Sequence, residues 1–144
     1  MTHHFNTEIY TDTECRALNT GWHIRLIDGP APLGIAGRHI PASVPGSIRQ
    51  DLTTAGLLSS NQAGEALGWI TQCAWEYSLD FPLRKPAASP VELVISGLDT
   101  AAEVQLNGQP LTRTGEQNPN SHDVGAHLFQ GLNNLKVSVV PALS

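Results

Sequence analysis

The chain has 144 residues, 40% of them apolar and 15% charged, with a formal net charge of −5. One domain with one core is the expected organisation, and the composition excludes an intrinsically disordered acidic chain. The eight Lys and Arg residues are scattered apart from Arg84-Lys85, so no basic face for nucleic acid is expected.

No apolar run approaches the length that crosses a bilayer, so no membrane partner is expected. Met1-Thr2-His3-His4-Phe5 has neither a basic nor an apolar region of a secretory leader. Cys15 and Cys73 are too few for a disulfide framework, and each is read as a small, partly buried residue. A reducing, cytoplasmic setting is the expectation.

Residues 1–18 show weak periodicity and are expected to form a loose arm or a short edge segment. In Trp22-His23-Ile24-Arg25-Leu26 the apolar residues alternate with polar ones, as in a strand with one buried face, and Asp28-Gly29-Pro30 ends it. Arg38 to Val44 is a second extended stretch, in which Pro41 argues for a sheet edge. Ser47 followed by Gln50 has the form of a capping box. Ile48, Leu52 and Ala55 then fall at helical spacing before Gly56, which predicts one short helix. A further helical turn is expected within Asn61 to Ile70.

Trp75, Tyr77, Leu79 and Phe81 take every second position, with Glu76, Ser78 and Asp80 between them, which predicts a strand solvated on one face. Val91 to Ser96 is the next strand, after the Pro86–Pro90 stretch. Ala102 to Leu106 and Gln109 to Arg113 flank Asn107-Gly108, a dipeptide suited to a tight hairpin. A polar loop from Gly115 to Ser121 leads to a short strand near Asp123-Val124. Gly131-Leu132-Asn133-Asn134 is expected as a turn before a last strand along Leu135, Val137 and Val139. About eight short strands with one or two short helices predict an all-β fold, an antiparallel β-sandwich of jelly-roll type.

Four phrases in this order are similar to the N-terminal, galactose-binding-like domain of glycoside hydrolase family two, and within it to the β-mannosidases. They are Val44-Pro45-Gly46-Ser47 with Asp51-Leu52 and Ala55-Gly56-Leu57-Leu58, and Trp69-Ile70 with Trp75-Glu76-Tyr77 and Phe81. The others are Gly97-Leu98-Asp99-Thr100 through Val104 to Leu106-Asn107-Gly108, and His122-Asp123-Val124 with Leu128 and Gly131-Leu132-Asn133. The chain departs from the family pattern at Ser59-Ser60-Asn61-Gln62, at Ala74 and between Glu116 and Ser121.

The resemblance implies an accessory domain that packs on a catalytic barrel and helps shape a sugar pocket. It also implies that the two catalytic glutamates lie in that barrel, so residues 1–144 are expected to be one domain of a longer enzyme, shortened at its C-terminal end. Alternatives of similar fold are a stand-alone carbohydrate-binding module and an interaction domain without a ligand.

No catalytic residue is expected within the chain. Glycoside hydrolysis needs two converging carboxyl groups, whereas Glu76 and Asp80 stand ~13 Å apart along one strand. Asp99 and Glu103 flank a turn. The six histidines, His3, His4, His23, His39, His122 and His127, form no ligand motif, so neither a metal nor a cofactor is expected. Trp22 and Trp75 lie on apolar strand faces and are expected in the core. Trp69 and Gln72 lie in the irregular segment that, in relatives, approaches the catalytic pocket, and they are the candidate substrate-binding residues. Leu57, Leu58, Leu67, Trp69 and Ile70 are expected either to form an apolar docking patch or to plug one end of the sandwich.

Overall fold

The computed structural model describes residues 5–11, 15–31, 34–58, 64–83, 91–96, 102–111 and 121–139. Ten strands appear among them: β1 (Asn6–Tyr10), β2 (Cys15–Ala17), β3 (His23–Asp28), β4 (Ile40–Pro41), β5 (Ala74–Leu83), β6 (Glu92–Ser96), β7 (Glu103–Leu106), β8 (Gln109–Leu111), β9 (Ser121–Asp123) and β10 (Gly131–Val139). They pair antiparallel in a four-stranded sheet of order β2-β1-β6-β9 and a six-stranded sheet of order β4-β3-β5-β10-β7-β8. The inward faces of both sheets share one core, so the fold is the expected β-sandwich.

The centre of the larger sheet is β5, hydrogen-bonded to β3 on one side and to β10 on the other. Trp75, Tyr77, Leu79 and Phe81 point inward and are buried, whereas Glu76 and Ser78 are half-buried and Asp80 exposed on the outer face. The same alternation places Leu135, Val137 and Val139 of β10 and Val104 and Leu106 of β7 in the core. From the smaller sheet, Ile9, Leu93 and Ile95 close the sandwich. Phe5, Trp22 and Tyr77 meet edge to face, with ring centroids 5.0–6.3 Å apart, and join the two layers.

The N-terminal stretch is not the loose arm expected. Strand β1 pairs with both β2 and β6 and so lies inside the smaller sheet, with β2 at its edge. The loop after β2 is tied to β1 through Leu18. Its carbonyl accepts from the Thr7 hydroxyl at 2.6 Å and from the Trp22 indole at 2.7 Å, and its amide donates to the Thr7 carbonyl at 2.9 Å. The periodicity is weak because, from Phe5 to Tyr10, the inward alternation runs through Phe5, Thr7 and Ile9, and Thr7 is polar.

Helix α1 spans Ile48–Thr54, as its signals predict. The Ser47 side chain caps it by accepting from the Gln50 amide at 3.1 Å, whereas the Gln50 side chain donates to the Thr54 hydroxyl rather than closing the capping box. At the other end Gly56, at φ +78°, donates to the Thr53 carbonyl and Leu57 donates to that of Leu52, which is a Schellman stop. A 3₁₀ helix over Gly64–Gln72 fills the place of the expected helical turn.

Asn107 and Gly108, both at positive φ, form the hairpin between β7 and β8. The expected turn at Gly131–Asn134 is instead the first part of β10, paired with β5 from Leu83 to Asp80. What resembles a turn signal there is a buried amide that holds the turn just before it. Asn133 accepts from the Phe129 amide at 2.7 Å and from the Asn107 side chain at 2.9 Å, and donates to the Phe129 and Gly131 carbonyls at 3.0 and 3.1 Å. Asn107 also donates to the His127 carbonyl at 2.7 Å, and its side-chain oxygen accepts from the Asn134 amide at 2.8 Å.

Prolines mark both edges of the larger sheet. Pro41 lies on β4, as expected from its position, and Pro110 on β8. Cys73 is buried under Gly29, where an added β-carbon would come within 2.6 Å of it, but Cys15 is exposed on β2 rather than partly buried. The Pro86–Pro90 stretch, the loop from Glu116 to Asn120 and Ser59–Gln62 lie outside the described residues.

Because Asn133 is 1% exposed and uses its whole amide, Asn133→Ala strands several buried backbone groups at once. The substitution is expected to lower the stability of the chain by about 2–4 kcal/mol, read as a lower denaturant midpoint at an unchanged m-value.

Candidate functional site

The segment that carries Trp69 and Gln72 is built on the 3₁₀ helix immediately before β5. That helix turns once every three residues, so side chains three apart stack on one ridge. Trp69 and Gln72 are such a pair. Ile70 is the anchor: it is buried, and its carbonyl accepts from the Trp75 indole at 3.0 Å and from the Cys73 amide at 3.3 Å. The Thr71 hydroxyl donates to the Gly68 carbonyl at 3.0 Å and tightens the same turn.

With Ile70 pinned inward, Trp69 is half-buried and Gln72 exposed. The Trp69 ring lies against that of Trp75, centroids 6.3 Å apart and planes inclined by 41°. Part of one indole therefore stays open to solvent on a fixed support, with an amide one 3₁₀ turn away. An aromatic face that packs on C–H groups and an amide that both donates and accepts suit a sugar ring or a neighbouring domain.

Of the two arrangements expected for this segment, the described residues favour the plug over the broader apolar patch. Ile70 is buried and Leu57, Leu58 and Trp69 are half-buried against the core, so they plug the end of the sandwich. The side chain of Leu67 lies outside the described residues. Among the described residues, the large apolar side chains that do stand exposed are Tyr10, Ile27, Phe129 and Leu132. Phe129 and Leu132 flank the Asn133-held turn, where sequence alternation gives no hint of an exposed pair.

The carboxylates of the outer sheet face are engaged singly. Glu76 pairs with Arg25 at 3.0 Å across β5 and β3, and Asp80 accepts from the Asn134 side chain at 2.8 Å. Neither arrangement brings two carboxyl groups to one bond. His23 and His39 are exposed, His127 is half-buried and His122 is buried in the smaller sheet; His3, His4 and Asp99 lie outside the described residues. Among the described residues, no three His, Cys, Asp or Glu side chains gather where a metal could sit.

One carboxyl group is buried on α1. Asp51, on α1, is 2% exposed, and Oδ1 accepts from the Ser43 amide at 3.0 Å while Oδ2 has no partner. Burial pushes its carboxyl up to about 6, against the lowering effect of the Ser43 amide. Burial and the nearby Asp51 charge together raise the Tyr77 phenol well above its usual range. Sequence patterning marks Asp51 only as part of a helix, since a carboxylate on the inward face breaks the apolar rule for that position.

The sandwich and the strand-edge helix match a known domain type. Residues 22–144 match the family model described as the glycosyl hydrolase 2 galactose-binding domain-like domain, and the chain belongs to that family. It is 33% identical over 96 residues to β-mannosidase B of Emericella nidulans, a match covering 64% of this chain and 11% of that protein. It is 30% identical over 88 residues to a β-mannosidase of Rattus norvegicus, covering 56% of this chain and 10% of that one. The crystal structure of a β-D-mannosidase from Dictyoglomus thermophilum shares the fold, with a TM-score of 0.62 and 21% identity over 92% of this chain and 16% of that one. The chain thus spans about a tenth of the length of the curated relatives it matches.

The supported indole and its support should respond differently to truncation. Trp75→Ala is expected to cost about 3–5 kcal/mol, as for other fully buried aromatics, whereas Trp69→Ala should cost about 1 kcal/mol. Paired chemical denaturation curves measure the contrast, and equal losses would show that Trp69 is a core residue.

Proposed function

We propose that this chain serves as the N-terminal, non-catalytic domain of a β-mannosidase-like glycoside hydrolase, where it packs on the catalytic barrel and helps wall the sugar pocket. The observation that carries the reading is the family match over residues 22–144 together with relatives that are themselves β-mannosidases. The site geometry supports it. The carboxylates described above are tied into strand-to-strand contacts, and Trp69 with Gln72 offers a contact ridge rather than a reacting group.

In the parent enzyme the barrel supplies the acid/base and nucleophile. This domain supplies a rigid wall: β5 fixes Trp75, Trp75 supports Trp69, and the ridge limits how a mannose-configured ring can lie. Binding energy gathered by such a wall orients the glycosidic bond toward the carboxyl pair.

Two measurements test this. The purified chain is expected to release no aryl alcohol from an aryl β-mannoside above the buffer rate. Turnover abolished by a substitution within the chain would overturn the non-catalytic role. In the full-length enzyme, Trp69→Ala is expected to raise KM several-fold with a smaller change in kcat, or to loosen the packing of the domain on the barrel, read by limited proteolysis. If neither changes, the ridge has no part in the pocket wall. Saturable binding of mannosides by the isolated chain would favour a stand-alone carbohydrate-binding module instead.

A further inference from the structure

The ridge of Trp69 and Gln72 has a neighbour on β3. Along that strand Ile24 is buried in the core, Arg25 faces outward and Leu26 packs against the core again, so regular alternation would send Asp28 inward. The ladder with β5 breaks its register there: Leu26 pairs with Trp75 and Asp28 with Ala74, which leaves Ile27 as an extra residue. A bulge of this kind re-aims a side chain that alternation would bury. Asp28 accordingly stands exposed, next to an Ile27 that is itself 45% exposed.

The next residue fixes where the bulge lies. Gly29, at φ +129°, sits on Cys73 so closely that an added β-carbon would come within 2.6 Å of the Cys73 Cα and Sγ. Contact and conformation together exclude a side chain at this position. Cys73 directly follows Gln72, the last residue of the 3₁₀ helix, so the bulge is pressed against the end of the helix that carries the ridge. Burial, and after it the Asp28 charge, pushes the Cys73 thiol up. Asp28 also differs from the outer-face carboxylates of β5. Glu76 is paired with Arg25 and Asp80 accepts from Asn134, whereas among the described residues no hydrogen bond or ion pair engages Asp28.

We propose that Asp28 is a sugar-binding residue beside the Trp69 and Gln72 ridge, its carboxylate accepting hydrogen bonds from ring hydroxyls of a β-mannoside. The proposal rests on the reading of that ridge as part of the pocket wall. A carboxylate accepts at two oxygens, so it can take two neighbouring hydroxyls at once, and hydrogen bonds to a charged acceptor are stronger than neutral ones. The Gln72 amide donates and accepts, and the Trp69 face packs on C–H groups. The three side chains thus offer different contacts to one polyhydroxylated ring. Because the bulge and the Gly29 contact hold the backbone, the carboxylate is presented from a fixed position.

The test uses the full-length enzyme that carries this domain, with an aryl β-mannoside as substrate. Asp28→Ala is expected to raise KM about ten-fold at a nearly unchanged kcat, because it removes hydrogen bonds to a charged acceptor. Its thermal midpoint should match that of the wild type, since Asp28 is exposed. Asp28→Asn keeps one acceptor oxygen and should recover part of the loss. If Asp28 and Trp69 hold the same ring, Asp28→Ala combined with Trp69→Ala should raise KM by less than the product of the single effects. A raised KM in Trp69→Ala with an unchanged KM in both Asp28 variants would remove Asp28 from the pocket and leave the wall reading standing. An unchanged KM in all three would overturn the wall reading and this proposal together. An unchanged KM in Asp28→Ala with the domain loosened on the barrel, read by limited proteolysis, would make Asp28 a contact to the barrel and overturn the sugar assignment.

Discussion

Everything else in the sandwich is arranged around the inward face of β5. Its four large side chains, Trp75, Tyr77, Leu79 and Phe81, are a hydrophobic load that only a second layer can remove from water. The strand is sandwiched laterally by β3 and β10 through long antiparallel ladders and covered by β1 and β6. The N-terminal strand owes its order to this: Phe5 stacks edge to face on Tyr77, and the Leu18 carbonyl locks the following loop to Trp22. The candidate site derives from the same strand, since the Trp75 indole holds the Ile70 carbonyl and so sets which side of the 3₁₀ helix faces outward.

Much of this architecture is legible in sequence because strands with one solvated face alternate strictly. The β5, β7 and β10 alternation, the Ser47 cap, the Gly56 stop and the Asn107-Gly108 hairpin are all written in local chemistry. The misreadings have a common cause, which is a residue whose role is set by a distant partner. Asn133 carries the residue type of a turn, yet it occupies a strand and uses its side chain to organise the neighbouring turn and Asn107. Residues 5–10 have too few apolar positions to announce a strand, and they become one because β6 and the core offer a place.

The candidate site is a proposal that the sequence supports only through the resemblance. The family resemblance points to Trp69 and Gln72, and the 3₁₀ spacing supplies the physical reason for treating them as one ridge. The sequence could not show that Ile70 is the anchor or that Leu57 and Leu58 turn toward the core, because that segment has no period to follow. Asp51 illustrates the converse: a charged residue in a core position is visible as an exception, but its partner, the Ser43 amide, lies on the preceding loop and follows from no local pattern.

The two prolines at the margins of the larger sheet bear on how the domain behaves in company. Neither Pro41 nor Pro110 has an amide hydrogen, so each outermost strand presents an interrupted row of donors to any approaching chain. A copy of the domain, or an unfolded neighbour on the ribosome, finds no continuous template there. The smaller sheet ends at β2 in Cys15-Arg16-Ala17, which has no such interruption beyond its single charge. Growth by strand addition is thereby steered away from the sheet that carries the Trp69 ridge and toward the opposite layer of the sandwich.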